Sequence, residues 1–168
     1  KPNYPAAYPT VLAVSATNSN DGVTGFSTTG SFVDIAAPGV GLWSTIWNQR
    51  EGDSYGVENG TSASCPHVAG AAALALTLRP DLSADQLAEI LEAAADDEGA
   101  PGKDPEYGYG RLNLLRTVQL AADPNILSRS VIRGVVTGAQ GGQVTVSLSN
   151  GQQTQPGPDG TYRFENLP

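Results

Sequence analysis

The chain has 168 residues with a hydrophobic fraction of 39%, which suits one packed domain of ordinary size and argues against wholesale disorder. Its formal net charge is −8, from 17 acidic and 9 basic residues, which argues against nucleic acids and anionic membranes as partners because their phosphates would be repelled. No apolar run reaches the length of about 18 residues that a transmembrane helix needs.

Short apolar runs near the start of the chain predict strands. Residues 11–16 (VLAVSA) and 32–36 (FVDIA) are each bounded by turn residues. Runs of this length are typical of buried strands in a parallel sheet that is covered on both faces. A third possible strand lies at 41–46, and a polar loop is predicted after it at 48–54.

The pattern changes to helix at Ser62. Residues 63–78 are rich in Ala and Leu and apolar nearly all round, which predicts a buried helix that ends before Pro80. Cys65 is the single cysteine, so an internal disulfide is excluded. We interpret Cys65 as a small core residue, because a lone cysteine of this kind is more often packed than reactive.

Two further helices are predicted downstream. The segment 83–95 is amphipathic, with Ser83 as its candidate N-cap, and another helix is expected at 112–122 after a glycine-rich turn. Strands followed by helices indicate an α/β layer architecture for this part of the chain.

The composition becomes strand-like beyond residue 122. We predict a linker at 123–130 and a separate β module at 131–168, in which residues 144–149 alternate between apolar and polar side chains. About 38 residues are too few for an independently stable domain, so we expect this module to be truncated. The chain contains no Met, and we expect its N-terminus to be cut as well, so the missing signal peptide says little about secretion.

Ser62 is the candidate nucleophile. It follows a glycine at the mouth of the predicted helix, where the unpaired N–H groups of the first turn favour negative charge. A serine placed there can attack a carbonyl while its own N–H points at the oxyanion that forms. A serine before a helix is also a common N-cap, and the residue pattern alone leaves that alternative open.

The segment around Ser62 carries a family resemblance. Residues 60–70, GTSASCPHVAG, closely resemble the nucleophile signature of the subtilisin-like serine peptidases, the subtilases. Further stretches resemble other parts of the same catalytic domain: 4–14 (YPAAYPTVLAV), 26–39 (FSTTGSFVDIAAPG) and 107–113 (YGYGRLN). The resemblance implies that residues 1–122 form the C-terminal part of a subtilisin-like parallel-sheet domain with a buried nucleophile helix.

The resemblance also implies an activity. It makes Ser62 the acyl-forming nucleophile of a secreted serine endopeptidase that hydrolyses peptide bonds in proteins or peptides, without an organic cofactor. Gly60 and Thr61 would support the oxyanion site, Thr61 through its hydroxyl, and Asn59 would fix the approach of the loop. Ordinary turn roles remain the alternative for Asn59 and Thr61.

The base that would activate Ser62 is not His67, the single histidine. Five residues of helix advance about 500°, which leaves the two side chains about 140° apart. In the resembling family this histidine belongs to the signature but not to the triad, so we expect a packed, hydrogen-bonded structural residue. The triad Asp and His and the oxyanion Asn of subtilases precede the part resembled here. Asn3 matches the downstream segment instead, so the chain is expected to need the upstream half of its domain and to be inactive alone.

Two weaker signals remain in the catalytic part. By resemblance, Asp34 could join backbone carbonyls near Ala6 and Tyr8 at a calcium or monovalent-cation site, but bonding to nearby N–H groups is an equally good interpretation, so no metal is assigned. Trp43 and Trp47 lie in a stretch that departs from the subtilase pattern. We expect them to pack in the core, with contact to substrate or to a neighbouring domain as the alternative.

The β tail resembles the carboxypeptidase-regulatory-like or prealbumin-like modules of secreted bacterial enzymes, through residues 132–136 and 159–168. Such modules are spacers, stabilisers or surface binders. A different class of function is therefore considered: a non-catalytic pseudopeptidase or adhesion protein that keeps the fold. The intact Gly60-Thr61-Ser62 weighs against it, since loss of the serine would be the obvious mark of decay.

Overall fold

The computed structural model describes residues 2–50, 52–123, 130–135, 145–147, 153–156 and 161–167. The chain divides into two compact units, Lys1–Asp123 and Pro124–Pro168. No helix among the described residues combines the length and the apolar character needed to cross a bilayer.

The first unit contains a parallel pair of strands. β1 (Val14–Thr17) pairs with β2 (Ile35–Pro38) in the register Val14 to Ile35, and both strands are almost completely buried. The predicted strands are confirmed, but each begins three residues late. The reason is local, because the first residues of both runs are in turns: the Val11 N–H donates to Tyr8 O and the Val33 N–H to Gly30 O, both at 3.0 Å.

An antiparallel hairpin follows β1 and β2 in the chain. β3 (Leu42–Asn48) pairs with β4 (Gly52–Glu58), so the predicted third strand is confirmed and the predicted polar loop at 48–54 is largely wrong. Polar residues are tolerated in β4 because a two-stranded ribbon keeps one face in water. The expectation that Trp43 and Trp47 pack in the core is also wrong, since both indoles are exposed.

Helix α1 (Thr61–Leu78) packs against β1 and β2, and α2 (Ala84–Ala94) and α3 (Leu114–Ala122) pack against α1 and each other. All three predicted helices are confirmed. Ser83 is the N-cap of α2, where its hydroxyl accepts from Gln86 N at 3.2 Å and the Gln86 side chain accepts from Ser83 N at 2.9 Å. The shared core consists of Ile35, Ala37, Val68, Ala71, Leu91 and Ala95.

Helix α1 is buried along one stripe rather than all round. The buried positions are Ser64, Val68, Ala71 and Ala75, which recur at the spacing of one helix face. The opposite face is exposed and includes Cys65, so the interpretation of Cys65 as a core residue is wrong for this chain. An apolar composition predicts that a helix can be buried, but burial also needs neighbours on each side, and the described residues supply them on one side only.

Arg111 joins three distant segments of the first unit. Its Nη1 donates to Asp21 Oδ1 at 2.6 Å and its Nη2 to Asp96 Oδ2 at 2.8 Å, while Asn113 Nδ2 donates to Asp96 Oδ1 at 3.0 Å. The Asn113 amide and the Arg111 guanidinium hold the pKa of the Asp96 carboxyl below its usual range. The two carboxylates in turn raise the pKa of Arg111. This network fastens the end of α2 to the turn that follows β1.

The second unit contains four described strands. β5 (Ser130–Val135) pairs antiparallel with β8 (Thr161–Leu167), and β6 (Val146–Ser147) pairs with β7 (Gln153–Thr154). Most of the predicted linker lies outside the described residues. The resemblance of this tail to a carboxypeptidase-regulatory-like module stays a prediction.

Candidate active site

Ser62 is the second residue of α1, and its side chain is exposed. The N-cap of the helix is Gly60, and no side-chain hydrogen bond caps this end. The alternative in which the Ser62 hydroxyl is merely an N-cap is therefore wrong. Gly60 O accepts from Ala63 N at 3.0 Å, so the N–H groups of Thr61 and Ser62 precede the first helical hydrogen bonds. The hydroxyl and the helix mouth face solvent together.

Gly60 sets the position of the serine. Its backbone has φ 154° and ψ 158°, a conformation that residues with a side chain rarely adopt. A β-carbon added to Gly60 would lie 2.9 Å from Ser62 Oγ. Glycine is thus required twice, for the backbone angle and for the space beside the hydroxyl.

Hydrogen bonds at Asn59 and at Gly60 hold the loop that precedes Ser62. Asn59 Oδ1 accepts from Gly41 N at 2.8 Å, across the base of the β3–β4 hairpin. Gly60 N donates to Gly39 O at 2.8 Å, and Gly39 N donates to Thr17 O at 2.9 Å at the end of β1. Two backbone hydrogen bonds therefore connect the loop before Ser62 to the parallel strand pair.

The sequence did not single out Gly39 as part of the site. In the sequence it is simply one of the turn residues that follow the second apolar run. A β-carbon at Gly39 would lie 2.9 Å from Gly60 O and 2.7 Å from the Ala16 β-carbon, and would overlap Ser64 Oγ. Its place directly after Pro38, at the end of a buried strand, was the available signal for a close backbone approach.

His67 is committed to its own helix. Its Nδ1 donates to Ala63 O at 2.8 Å, one turn earlier, and the ring is exposed. The expected hydrogen bond is confirmed, whereas the expected packing is not. Pro66 carries no N–H, so the Ser62 carbonyl lacks the usual helical donor four residues on. Within the part of the chain that the structure describes, no acid–base group bonds to the Ser62 hydroxyl.

Asp34, the residue considered for a cation site, is bonded to two groups of the chain. Its Oδ2 accepts from Ala13 N at 2.8 Å, and its Oδ1 forms an ion pair with Lys103 Nζ at 3.1 Å. The ammonium also lies 5.3 Å from the centre of the Tyr109 ring. The bond from Ala13 N matches the alternative in which nearby N–H groups hold the Asp34 carboxylate. Across the described ranges no group of three or more His, Cys, Asp or Glu residues is suited to hold a metal.

Comparison with known proteins gives consistent relatives. The model of the subtilase family matches residues 1–110. Subtilisin E of Bacillus subtilis (strain 168) is 42% identical over 116 residues, which are 69% of this chain and 29% of that protein. A halolysin-like extracellular serine protease of Natrialba magadii is 40% identical over 124 residues, 73% of this chain and 21% of that protein. The chain thus spans less than a third of the length of these two relatives.

Solved structures agree with the sequence relatives. Fervidolysin from Fervidobacterium pennivorans, a keratinolytic enzyme related to subtilisin, superposes with a TM-score of 0.66 at 30% identity, over 98% of this chain and 28% of that chain. A protease from Pseudoalteromonas arctica gives a TM-score of 0.64 at 32% identity, over 70% of this chain and 38% of that chain.

Proposed function

The chain belongs to the subtilase family of serine peptidases, and from this premise we propose that Ser62 is the nucleophile of a secreted endopeptidase. The proposal rests on one observation above all. An exposed hydroxyl stands at the N-terminus of an 18-residue helix, beside a glycine whose backbone leaves the space around it open.

The proposed chemistry is acyl transfer. Ser62 Oγ attacks the carbonyl carbon of the scissile peptide bond and loses its proton to a base, and an ester forms as the amine leaves. Water then hydrolyses the ester and regenerates the hydroxyl. The Ser62 N–H at the helix mouth donates to the developing oxyanion, with Gly60 and Thr61 shaping this site and Asn59 holding the loop. No organic cofactor takes part.

The base comes from outside these 168 residues in our proposal. The single histidine is bonded to Ala63 O and lies on another side of the helix from Ser62. In subtilisin itself, loss of the triad histidine costs about 10⁶ in kcat. We therefore propose that the 168 residues alone turn over no peptide, and that the upstream half of the catalytic domain completes the site.

Substrate and location follow from the same family. We propose that the complete protein cleaves polypeptides outside the cell, which is supported by relatives described as extracellular proteases. The second unit would then act as a spacer or surface-binding module attached to the enzyme.

The test compares the complete polypeptide that carries this chain with its Ser62→Ala variant. We expect the unmodified protein to hydrolyse an unfolded protein and to be labelled once by a fluorophosphonate probe, and the variant to do neither. Ser31→Ala is the matched control, since Ser31 is an exposed loop serine, and it should keep both properties. An unmodified protein that is neither labelled nor active would instead support the non-catalytic pseudopeptidase or adhesion protein.

A further inference from the structure

The β3–β4 hairpin carries an exposed aromatic face. The strand register places Trp43 opposite Val57, Thr45 opposite Tyr55 and Trp47 opposite Asp53. Because side chains alternate along a strand, these positions share one side of the ribbon. We call this side the aromatic face, formed by Trp43, Thr45, Trp47, Asp53, Tyr55 and Val57.

The aromatic face is open to solvent along its whole length. Trp43 is 70% exposed, Trp47 67%, Tyr55 65% and Val57 53%. On the other side of the ribbon Ile46 is half-buried and lies over Gly56, where an added β-carbon would be 2.7 Å from Ile46 Cδ1. The hairpin therefore turns these large apolar side chains away from the described part of the first unit, which is an arrangement typical of a contact surface.

The aromatic face has a repeat that an extended peptide can match. Trp43 and Trp47 lie four residues apart on β3, about 13 Å, and Tyr55 projects between them from β4. A surface groove of about 500 Å³ at this end of the ribbon is lined by Thr45, Trp47, Asp53 and Tyr55 of the aromatic face and by Ile46 and Ser54 of the other side. Each indole can thus contact one side chain of an extended peptide, if the two contacting residues of that peptide are four positions apart.

The hairpin is fixed to the nucleophile. β4 ends at Glu58, only four residues before Ser62. The base of the hairpin is closed by the Asn59 to Gly41 bond and by the Gly60 to Gly39 bond, both at 2.8 Å. Whatever binds the aromatic face is therefore held at a set distance from Ser62.

We propose that the aromatic face binds an extended segment of the polypeptide substrate, beyond the residues that flank the scissile bond. This inference rests on the proposed function. Its continuity with the nucleophile favours the substrate as the occupant over a second copy of the chain or a glycan. The ribbon is two-stranded in the described residues, so its outer edges can also pair with a substrate backbone. The fitting segment carries large apolar side chains four residues apart and a basic side chain opposite Asp53.

The experiment uses the complete polypeptide and two substrates, an unfolded casein and a chromogenic tetrapeptide that occupies only the positions next to the scissile bond. In the Trp43→Ala/Trp47→Ala variant we expect KM for casein to rise about tenfold with kcat unchanged, and the tetrapeptide kinetics to stay unchanged. Trp43→Phe/Trp47→Phe should keep most of the casein affinity. Leu115→Ala removes an equally exposed apolar side chain from α3 and should change neither substrate.

Binding without turnover separates this inference from the proposed function. In a Ser62→Ala background, casein affinity should fall about tenfold when both tryptophans are replaced by alanine. An unchanged KM and affinity for casein overturns the inference, as does an equal loss on both substrates. Loss of retention on insoluble polysaccharide, or loss of a dimer, with casein affinity unchanged would assign the aromatic face to those partners instead. If the unmodified protein cleaves neither substrate, it is the proposed function that fails.

Discussion

The backbone of Gly60 lies so close to the Ser62 side chain that a β-carbon on residue 60 would be 2.9 Å from Ser62 Oγ. That separation is shorter than carbon and oxygen tolerate in contact, and the φ of 154° at Gly60 adds strain for any residue with a side chain. The hydroxyl therefore depends on the absence of a methyl group two residues earlier.

We expect Gly60→Ala to lower kcat of the complete enzyme by at least about 100-fold, because the serine must shift and small displacements of a reacting group are costly. Steady-state hydrolysis of a short chromogenic peptide measures the loss. Gly25→Ala is the matched control, since an added β-carbon there meets nothing within 4 Å. Equal activity in the two variants would contradict the role given to Gly60.

Gly39→Ala is expected to act on stability. The new methyl would collide with Ser64 Oγ, the Ala16 β-carbon and Gly60 O, which are all parts of the packed junction between sheet and helix. Overpacking of this kind costs about 1–3 kcal/mol in the free energy of unfolding. Urea unfolding checks the value, and a loss no larger than that of Gly25→Ala would refute the close approach.

Asp96→Asn is expected to destabilise the first unit in a pH-dependent way. Hydrogen bonds from Asn113 and Arg111 lower the pKa of Asp96 in the folded protein, so the stabilisation is present above the unfolded pKa of about 3.9. It is lost as the pH falls through the lower, folded pKa. For a carboxylate about a third exposed we expect a loss of about 1–2 kcal/mol at pH 7, which shrinks below about pH 4.

The matched control for this prediction is Asp81→Asn. Asp81 also pairs with an arginine, Arg79, at 2.9 Å, but the Asp81 side chain is 59% exposed against 30% for Asp96. Substitution of Asp81 should lower the free energy of unfolding clearly less than substitution of Asp96, since exposed charges are screened by water. Thermal unfolding at pH 7 and at pH 3 distinguishes the two sites, and equal effects would argue against the bridging role of Asp96.

Asp34 is expected to stabilise the folded first unit through its ion pair with Lys103, without a metal ion. Asp34→Asn removes the ion pair with Lys103, and we expect about 1–2 kcal/mol of destabilisation. The difference between unmodified protein and variant should be the same with and without EDTA, even if chelation affects sites elsewhere in the complete protein. A difference that disappears on chelation would show a cation at Asp34.

Local signals predicted most of the helical part of the fold. Ser83 and Gln86 form their capping box within one turn, so the sequence around them was enough to locate the start of α2. The prediction of Ser62 as the nucleophile depends on the family signature that surrounds it. The starts of β1 and β2 were misplaced because apolar residues such as Val11 and Val33 are held by turns, which hydrophobicity does not reveal.

Features that depend on distant neighbours were not predictable. Trp43, Trp47 and Cys65 are apolar or small, and their exposure depends on what lies beside them and not on their own chemistry. Arg111 meets Asp21 from 90 positions away. No periodicity in one sequence indicates a contact of that separation.

The chain leaves the sheet at Gly39 and returns to the same point at Gly60, where a backbone hydrogen bond of 2.8 Å joins the departure to the return. The β3–β4 hairpin lies between these two residues, and its two ends meet just before Ser62. Such a segment can be lengthened, shortened or exchanged at small entropic cost while the residue that follows it stays in register. The length and shape of the hairpin can therefore vary without displacing Ser62.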